Sequence, residues 1–455
     1  MEAYVSEFGT SGLSLGSAGE VLRFVKEHRI ESIRLWFVDI LGFLKSFSIT
    51  PAELEGAIAE GMGFDGSSVE GYQRINESDM VAFPLPETAQ VIPFRIGGAR
   101  ALRMFAQIRN PDRSPYANDP RFILAGALAR LGDHGLSHMN AGPEGEFFYF
   151  ASDQATRVLD QAGYFDLNPV DLGDGLREAT VFALHAMGIP VEYSHHEVGP
   201  SQHEIDLKYA PAMRMADSVM TYKWLVKEIA HRNGVHATFM PKPLATENGS
   251  GMHTHLSLFR DARTNAFFSA EDPFHLSPLA RAFMAGVLEH AREICLVTNQ
   301  WYNSYKRLVP GFEAPVYIAW AQRNRSALIR VPVYKPGKEL ATRIELRFPD
   351  AACNPYLAFA VMLAAGLEGV SGGYRLPDEV TTDIYALNPM ERERQHIRSL
   401  PHSLYEAIGC ARESVLVRRT LGEGVLGKLV ETKLGEVESY RKTVTAKEIA
   451  EYMVL

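Results

Sequence analysis

Glu144 and Glu146 stand two residues apart in Pro143-Glu144-Gly145-Glu146-Phe147-Phe148-Tyr149-Phe150. In an extended strand that spacing puts both carboxylates on one face, which continues as Phe148 and Phe150. Two carboxylates side by side among apolar rings repel one another unless a cation or an arginine lies between them. The pattern returns at Glu204-Ile205-Asp206-Leu207, with Glu197 a short loop earlier in His195-His196-Glu197, and at Arg343-Ile344-Glu345-Leu346-Arg347-Phe348. In Met252-His253-Thr254-His255-Leu256-Ser257-Leu258 the same alternation sets two imidazoles and a hydroxyl opposite an apolar face. Each acid alone reads as a solvated strand edge as readily as a ligand. Together these strands form a charged concavity, and oxygen donors with a single imidazole favour Mg2+ or Mn2+ over zinc.

Other stretches carry anion chemistry. Gly249 and Gly251 precede the histidine strand in a turn that lets a ligand approach the main chain. Asn303 to Pro315 is a polar loop punctuated by Pro310, Gly311 and Pro315, suited to a flap. Arg323, Arg325 and Arg330 bring guanidinium groups that bind phosphate or carboxylate bidentately, and Lys335-Pro336-Gly337-Lys338 completes a basic zone. No Walker A pattern occurs, so nucleotide binding would rest on these arginines and on metal.

The elements that must position these groups can be read along the chain. Residues 1–18 form a Gly- and Ser-rich lead-in. Val21, Leu22, Phe24 and Val25 recur at helical spacing, 32–38 alternates as a strand, and a turn at Asp39-Ile40-Leu41-Gly42 leads to a second strand near 43–49. Thr50, Pro51 and Glu53 predict a helix start with a capping box. The loop Gly61 to Ser68 either is a solvated connection or displays Asp65 and Ser68 to a partner surface. Pro111 to Pro120 reads as a linker, giving an N-terminal module over 19–112 and a larger domain over 113–455. Beyond residue 352 the reading is helical, with Leu357, Ala358, Val361, Met362 and Ala365 as a buried face. Thr445 and Glu448 form a capping box before an apolar stripe at Ile449, Tyr452 and Met453, of a kind that docks onto another surface.

Composition bounds the function class. The chain of 455 residues carries 55 acidic and 46 basic side chains, a formal net charge of -9, which gives no electrostatic footprint for nucleic acid or an anionic membrane. Cys295, Cys353 and Cys410 lie far apart and predict neither a disulfide framework nor a zinc site, so a reducing, cytoplasmic setting is expected. The N-terminus lacks a signal-peptide pattern, and no apolar run of membrane-spanning length stands out.

In order along the chain occur Phe-Asp-Gly-Ser-Ser at 64–68, Asn-Glu-Ser-Asp at 76–79, Gly-Pro-Glu-Gly-Glu-Phe-Phe at 142–148 and Asn-Gly-Ser-Gly-Met-His at 248–253. Lys-Arg-Leu-Val-Pro-Gly-Phe-Glu-Ala-Pro at 306–315, Asn-Arg-Ser-Ala at 324–327 and Arg-Ile-Glu-Leu-Arg-Phe-Pro-Asp at 343–350 follow. From about residue 20 to the C-terminus this series resembles glutamine synthetase of the type I bacterial and archaeal form. The resemblance implies an α+β fold, with a small N-terminal β-grasp domain and a larger catalytic domain built on a curved antiparallel sheet flanked by helices. It implies ATP-dependent ligation of ammonia to the γ-carboxylate of L-glutamate through γ-glutamyl phosphate, with ATP and two or more Mg2+ or Mn2+ ions.

Residue by residue, the resemblance implies Glu146, Glu197 and Glu204 as ligands of one metal and Glu144, His253 and Glu345 of the other. It places Asn248, Gly249, Arg307 and Arg347 at glutamate, and Glu192, Ser257, Arg325, Arg330 and Lys338 at the nucleotide. Asp65, supplied by a neighbouring subunit, would form the ammonium pocket with Ser68, Tyr164 and Glu197. Glu313 would shield the acyl phosphate and take a proton, and Arg74 matches a position used for feedback by glutamine. The family assembles as two stacked hexameric rings, twelve subunits in all, with active sites between subunits. A ligase of the same fold acting on a polyamine, ethanolamine or methylamine is the competing expectation, and a non-catalytic relative a lesser one, since all six ligand positions hold competent residues.

Overall fold

The alternating segment forms β1 (Ser32–Val38), and the chain reverses at Asp39 to Gly42 before β2 (Leu44–Ile49) returns antiparallel to it. Gly42 has φ +85°, and a Cβ there would stand 3.0 Å from Asn354 Cα, so both the turn and the neighbouring backbone require glycine. The computed structural model describes residues 15–67, 69, 79–153, 157–324 and 326–455. The expected residues Ser68, Arg74 and Arg325 lie outside them.

β3 (Met62–Asp65), β4 (Asp79–Pro84), β5 (Gln90–Val91) and β6 (Ala101–Arg109) complete a sheet in the order β2-β1-β6-β4-β3, with β5 against β6. β1 and β6 run parallel while the other pairs are antiparallel. Helices Ala18–Glu27 and Leu54–Glu60 cover one face, burying Val21, Phe24, Val25, Leu54 and Ala57 against Ile33, Leu35, Leu102 and Met104. The capping box expected at Thr50 does not form. Pro51–Glu53 is instead a single 3-10 turn in which the Glu53 N–H donates to the Thr50 carbonyl at 3.1 Å, so the donor that the Thr50 hydroxyl would have taken is already satisfied.

The larger sheet contains β7 (His138–Phe150), β8 (Val191–His196), β9 (Gln202–Leu207), β10 (Ala210–Pro211), β11 (His236–Thr238), β12 (Met252–Asp261), β13 (Thr264–Asn265), β14 (Tyr317–Ala321), β15 (Ala327–Arg330) and β16 (Ile344–Leu346). Its order is β14-β15-β16-β12-β7-β9-β8, with β10 and β11 on β7 and β13 on β12. Every pairing is antiparallel except β14 with β15. Helices Asp174–Ala186 and Ala212–Arg232 pack on β8 and β7. Behind the sheet, Pro278–Thr298 and Pro355–Gly372 cross where Gly286 meets Gly369.

Pro355–Gly372 departs from the sequence reading. It is apolar on all sides and long enough to cross a membrane, yet 78% of it is buried inside the protein. A helix surrounded by the core needs no polar face. The two modules are joined by directed bonds: Asn354 Nδ2 donates to the Asp39 carbonyl at 3.0 Å and Gln300 Nε2 to that of Leu41 at 2.8 Å. The capping box at Thr445 does form, and Ile449, Tyr452 and Met453 are exposed on the helix it opens.

Candidate active site

β7 sits between β12 and β9, and register decides which side chains meet. His253 is directly opposite Glu144, and Glu204 opposite Glu146; on the far side of β9, His195 is opposite Glu204. Directly paired residues project to the same face, so the acids of β7 and β9 and the imidazoles of β12 and β8 converge. β16 adds Glu345 and the hairpin between β8 and β9 adds Glu197. They line one cleft of about 270 Å³ together with Tyr164, Asn248, Gly249, Arg307, Glu313, Arg330 and Arg347.

Two donor groups are visible within it. Glu144, His253 and Glu345 each offer a ligand atom, with His253 Nδ1 3.5 Å from Glu144 Oε2 and 3.9 Å from Glu345 Oε1. His195, Glu197 and Glu204 form the second, with His195 Nδ1 3.7 Å from Glu197 Oε1 and Nε2 3.5 Å from Glu204 Oε1. Glu146 lies between the groups. Its Oε2 accepts from the Gly251 N–H at 2.9 Å and from Gln202 Nε2 at 3.3 Å, leaving Oε1 turned towards His253.

Electrostatics fit a site built for divalent cations. Burial, then the negative charge of Glu146, pushes the Glu197 carboxyl up to about 7. Burial and the neighbouring acids Glu146, Glu144 and Glu197 raise Glu204 well above the usual carboxylate range, and burial with Glu204 and Glu144 raises Asp206 to about 10. Glu144 is the exception: burial opposes its ionisation, but hydrogen bonds from His253 and His255 hold it well below the ordinary value. Carboxylates this crowded take up protons unless a cation is supplied, and hard oxygen donors with one imidazole per group match Mg2+ or Mn2+.

His255 has a settled role. Arg343 Nε, which can only donate, lies 3.2 Å from His255 Nδ1, so Nε2 carries the proton and donates to Glu144 Oε1 at 2.7 Å. His255 orients a carboxylate of the first group. The glycine turn also differs from the sequence reading. A Cβ on Gly249 would stand 2.3 Å from the Pro241 carbonyl and 2.8 Å from Arg307 Cγ, and one on Gly251 2.6 Å from Arg307 Nη2. The space left by the missing side chains is filled by Arg307, whose Nη1 and Nη2 donate to the carbonyls of Phe348 and Arg347.

Arg330 Nη1 pairs with Glu345 Oε2 at 2.6 Å, and Arg347 Nε lies 3.3 Å from Glu345 Oε1. Phe312, Glu313 and Ala314 of the loop expected as a flap line the cleft, and Lys242 Nζ sits 3.4 Å from the centre of the Phe312 ring. Four expected residues stand outside this cleft. Glu192 is exposed on β8, Ser257 is buried on β12 opposite Asn140, Lys338 is exposed, and Asp65 is exposed at the end of β3 with its Oδ1 accepting from the Ser67 N–H at 2.8 Å. A third acid and histidine group, Asp160, Asp171, His196 and His203, is buried behind the cleft. It already holds a cation: Arg177 Nη1 is 2.7 Å from Asp171 Oδ2 and 2.8 Å from His203 Nδ1.

Residues 29–111 match the glutamine synthetase beta-Grasp domain and residues 117–452 the glutamine synthetase catalytic domain. The chain belongs to the glutamine synthetase family. It is 50% identical over 441 residues to the glutamine synthetase of Mycolicibacterium smegmatis, covering 96% of this chain and 98% of that protein. Among solved structures, a GmaS/ADP complex superposes with TM-score 0.87 at 28% identity, covering 95% of this chain and 99% of that one. Plasmodium falciparum glutamine synthetase superposes with TM-score 0.86 at 25% identity, covering 97% and 100%. Within this glutamine synthetase fold, His195, Tyr193 and Gln202 line the cleft but are not among the residues expected from sequence. The signal for two of them was present, because Tyr193, His195 and Glu197 alternate in step.

Proposed function

We propose that this protein ligates ammonia to the γ-carboxylate of L-glutamate through γ-glutamyl phosphate, converting ATP to ADP and phosphate and releasing glutamine. The observation that carries the reading is the convergence, in one cleft beneath Glu313, of six candidate metal ligands with Asn248, Arg307 and Arg347. Glu146, Glu197 and Glu204 would hold one Mg2+ or Mn2+ and Glu144, His253 and Glu345 the other. A divalent cation bound there would supply positive charge to offset that of the ATP phosphates.

The chain's own residues do the rest. Arg307 and Arg347 pair with carboxylate and phosphoryl oxygens, while Asn248 and Gly249 position the amino acid. Arg330, which lines the cleft, would face the nucleotide, and Glu192, Ser257, Arg325 and Lys338 are proposed as further nucleotide contacts. Glu313 keeps water from the acyl phosphate and accepts a proton from the attacking amine. The amine pocket comprises Tyr164 and Glu197 with Asp65 and Ser68 of a neighbouring subunit. The exposure of Asp65, outside its own chain's cleft, supports a site completed between subunits. The exposed stripe at Ile449, Tyr452 and Met453 supports assembly of two hexameric rings into a dodecamer. Three free cysteines suit a cytoplasmic setting. Arg74 is proposed as a contact for feedback by glutamine, and an Arg74→Ala enzyme is expected to escape that inhibition.

The deciding measurement is ATP-dependent phosphate release with glutamate, comparing ammonium with putrescine, ethanolamine and methylamine. Ammonium is expected to give the highest kcat/KM. A far better turnover with any of the larger amines would overturn the assignment in favour of another γ-glutamyl ligase.

A further inference from the structure

The segment from Arg157 to Asp174 leaves the sheet after β7 and carries Tyr164 to the cleft. Hydrophobic burial anchors only its start, where Ala162 is buried and Leu159 packs against the core. From Tyr164 to Leu172 the large apolar side chains Tyr164, Phe165, Leu167, Val170 and Leu172 are all more than half exposed, Leu167 reaching 73%. A segment with so little apolar anchoring must be fixed by directed polar bonds.

One such bond is the buried pair of Asp171 with Arg177; others converge on Asp160 and Ser201, both buried. Asp160 Oδ1 accepts from the Ser201 N–H at 2.9 Å and from His196 Nε2 at 3.2 Å, and Oδ2 accepts from the Leu172 N–H at 3.0 Å. In return, Ser201 Oγ accepts from the N–H groups of Leu159 at 2.7 Å and Asp160 at 3.1 Å. A further bond runs from the Phe165 N–H to the His196 carbonyl at 3.1 Å. Ser201 holds φ +61°, a conformation costly for a residue with a side chain, which persists where the surrounding bonds over-determine it. Ser201 lies in the hairpin that carries Glu197, closed by the Glu197 N–H donating to the Gln202 carbonyl at 2.7 Å.

We infer that Asp160 and Ser201 form a reciprocal clamp that sets the distance between Tyr164 and Glu197, making both of them positioning residues that determine which amine the enzyme accepts. The inference rests on the amine pocket proposed above. Asp160 is joined to the Tyr164 segment on one side and to the Glu197 hairpin on the other, whereas the bonds of Asp160 and Ser201 given above do not reach Asn248, Arg307 or Arg347; the hairpin meets the glutamate turn through Gln202 Nε2, which donates to the Gly249 carbonyl at 3.2 Å. His195 lies between the two pocket residues, its ring 5.3 Å from that of Tyr164 and its Nδ1 3.7 Å from Glu197. Loosening the clamp therefore alters the space for the amine and leaves the glutamate contacts in place.

The test uses full-length Asp160→Asn, which turns one acceptor into a donor facing an N–H, and Ser201→Ala, which removes the other half of the clamp should the first variant fold poorly. Steady-state rates are measured with ammonium, hydroxylamine and methylamine, each substrate being varied in turn with the others and Mg2+ saturating. The KM for ammonium is expected to rise about tenfold, with the KM values for glutamate and ATP within about twofold of wild type and relative use of methylamine increased. An unchanged ammonium KM, a parallel rise in all three KM values, or recovery on adding more Mg2+ would overturn the clamp. If the wild-type enzyme itself prefers another amine, the proposed reaction fails, and the same KM comparison with that amine still tests the clamp.

Discussion

Asn248 Nδ2 donates to Glu313 Oε2 at 3.2 Å, tying the turn that leads into β12 to the flap. Glu313 reaches this contact at φ +54°, two residues after Gly311 at φ +96°. A non-glycine residue in that region costs about 1–3 kcal/mol, so the loop conformation at Glu313 depends on such contacts. Replacing Glu313 by alanine is expected to lower glutamine formation by about 10²-fold or more, as for loss of a proton-transfer group. Glutamate-dependent phosphate release should fall less, because the unshielded acyl phosphate is open to water. Parallel phosphate and glutamine assays check this, and a strictly equal fall would remove the shielding role.

Glu204 is buried among acids that keep it protonated when no cation neutralises them. Glutamine at this position mimics the neutral form. Glu204→Gln is therefore expected to match or exceed the wild-type Tm without divalent metal at pH 8, while losing most of the Tm increase that Mn2+ gives the wild type. Thermal unfolding with and without Mn2+ measures both. A variant that is strongly destabilised in the metal-free state would contradict the crowding argument.

The pH dependence of the metal-free protein follows from the same acids. Glu197 and Asp206 have folded values raised to about 7 and about 10 from the ordinary 4.5 and 3.8, so the folded state binds more protons than the unfolded one. Their contribution is complete below pH 4 and is lost as pH rises, through Glu197 up to about 7 and through Asp206 beyond it. Glu144, being lowered, changes only in acid, while the buried His203, lowered well below 6.5, opposes the trend only below about pH 6.5. The metal-free Tm should fall between about pH 6.5 and pH 8, and saturating Mg2+ should flatten the profile. A rising Tm over that range without metal would refute it.

Core packing gives a prediction independent of catalysis. A Cβ on Gly286 would stand 2.3 Å from the Ala365 carbonyl and 2.8 Å from Gly369 Cα, both backbone atoms that cannot rotate away. Gly286→Ala should push the two central helices apart and cost about 1–3 kcal/mol, lowering Tm by several degrees. Gly126→Ala, where a Cβ meets nothing within 4 Å, is the control and should be close to neutral.

Much of the site was legible because strand alternation is local. Residue type and a period of two put Glu144 with Glu146, His253 with His255 and Glu345 with Arg347; in the folded protein Glu144, Glu146, Glu345 and Arg347 all line the cleft, and both histidines meet Glu144. Ordered motifs then supplied the family. Local patterns were weakest where two signals competed, as at Thr50, where a 3-10 turn satisfied the donor that a cap would have used.

By itself the sequence determined which strands carry acids, imidazoles and guanidinium groups, since side-chain direction along a strand follows from the pleat. Only the tertiary structure decided which groups meet. His255 and Glu144 are 111 residues apart in the chain, and their contact depends on β7 and β12 pairing in one register, where a slip by one residue would turn every candidate ligand of the slipped strand to the opposite face. Likewise His195 joins Glu204 through the pairing of β8 with β9, and Arg307 fills the space beside Gly249 and Gly251 that a reading of the turn alone left open to an anion. These contacts come from long-range packing, for which no stretch of neighbouring residues carries a signal.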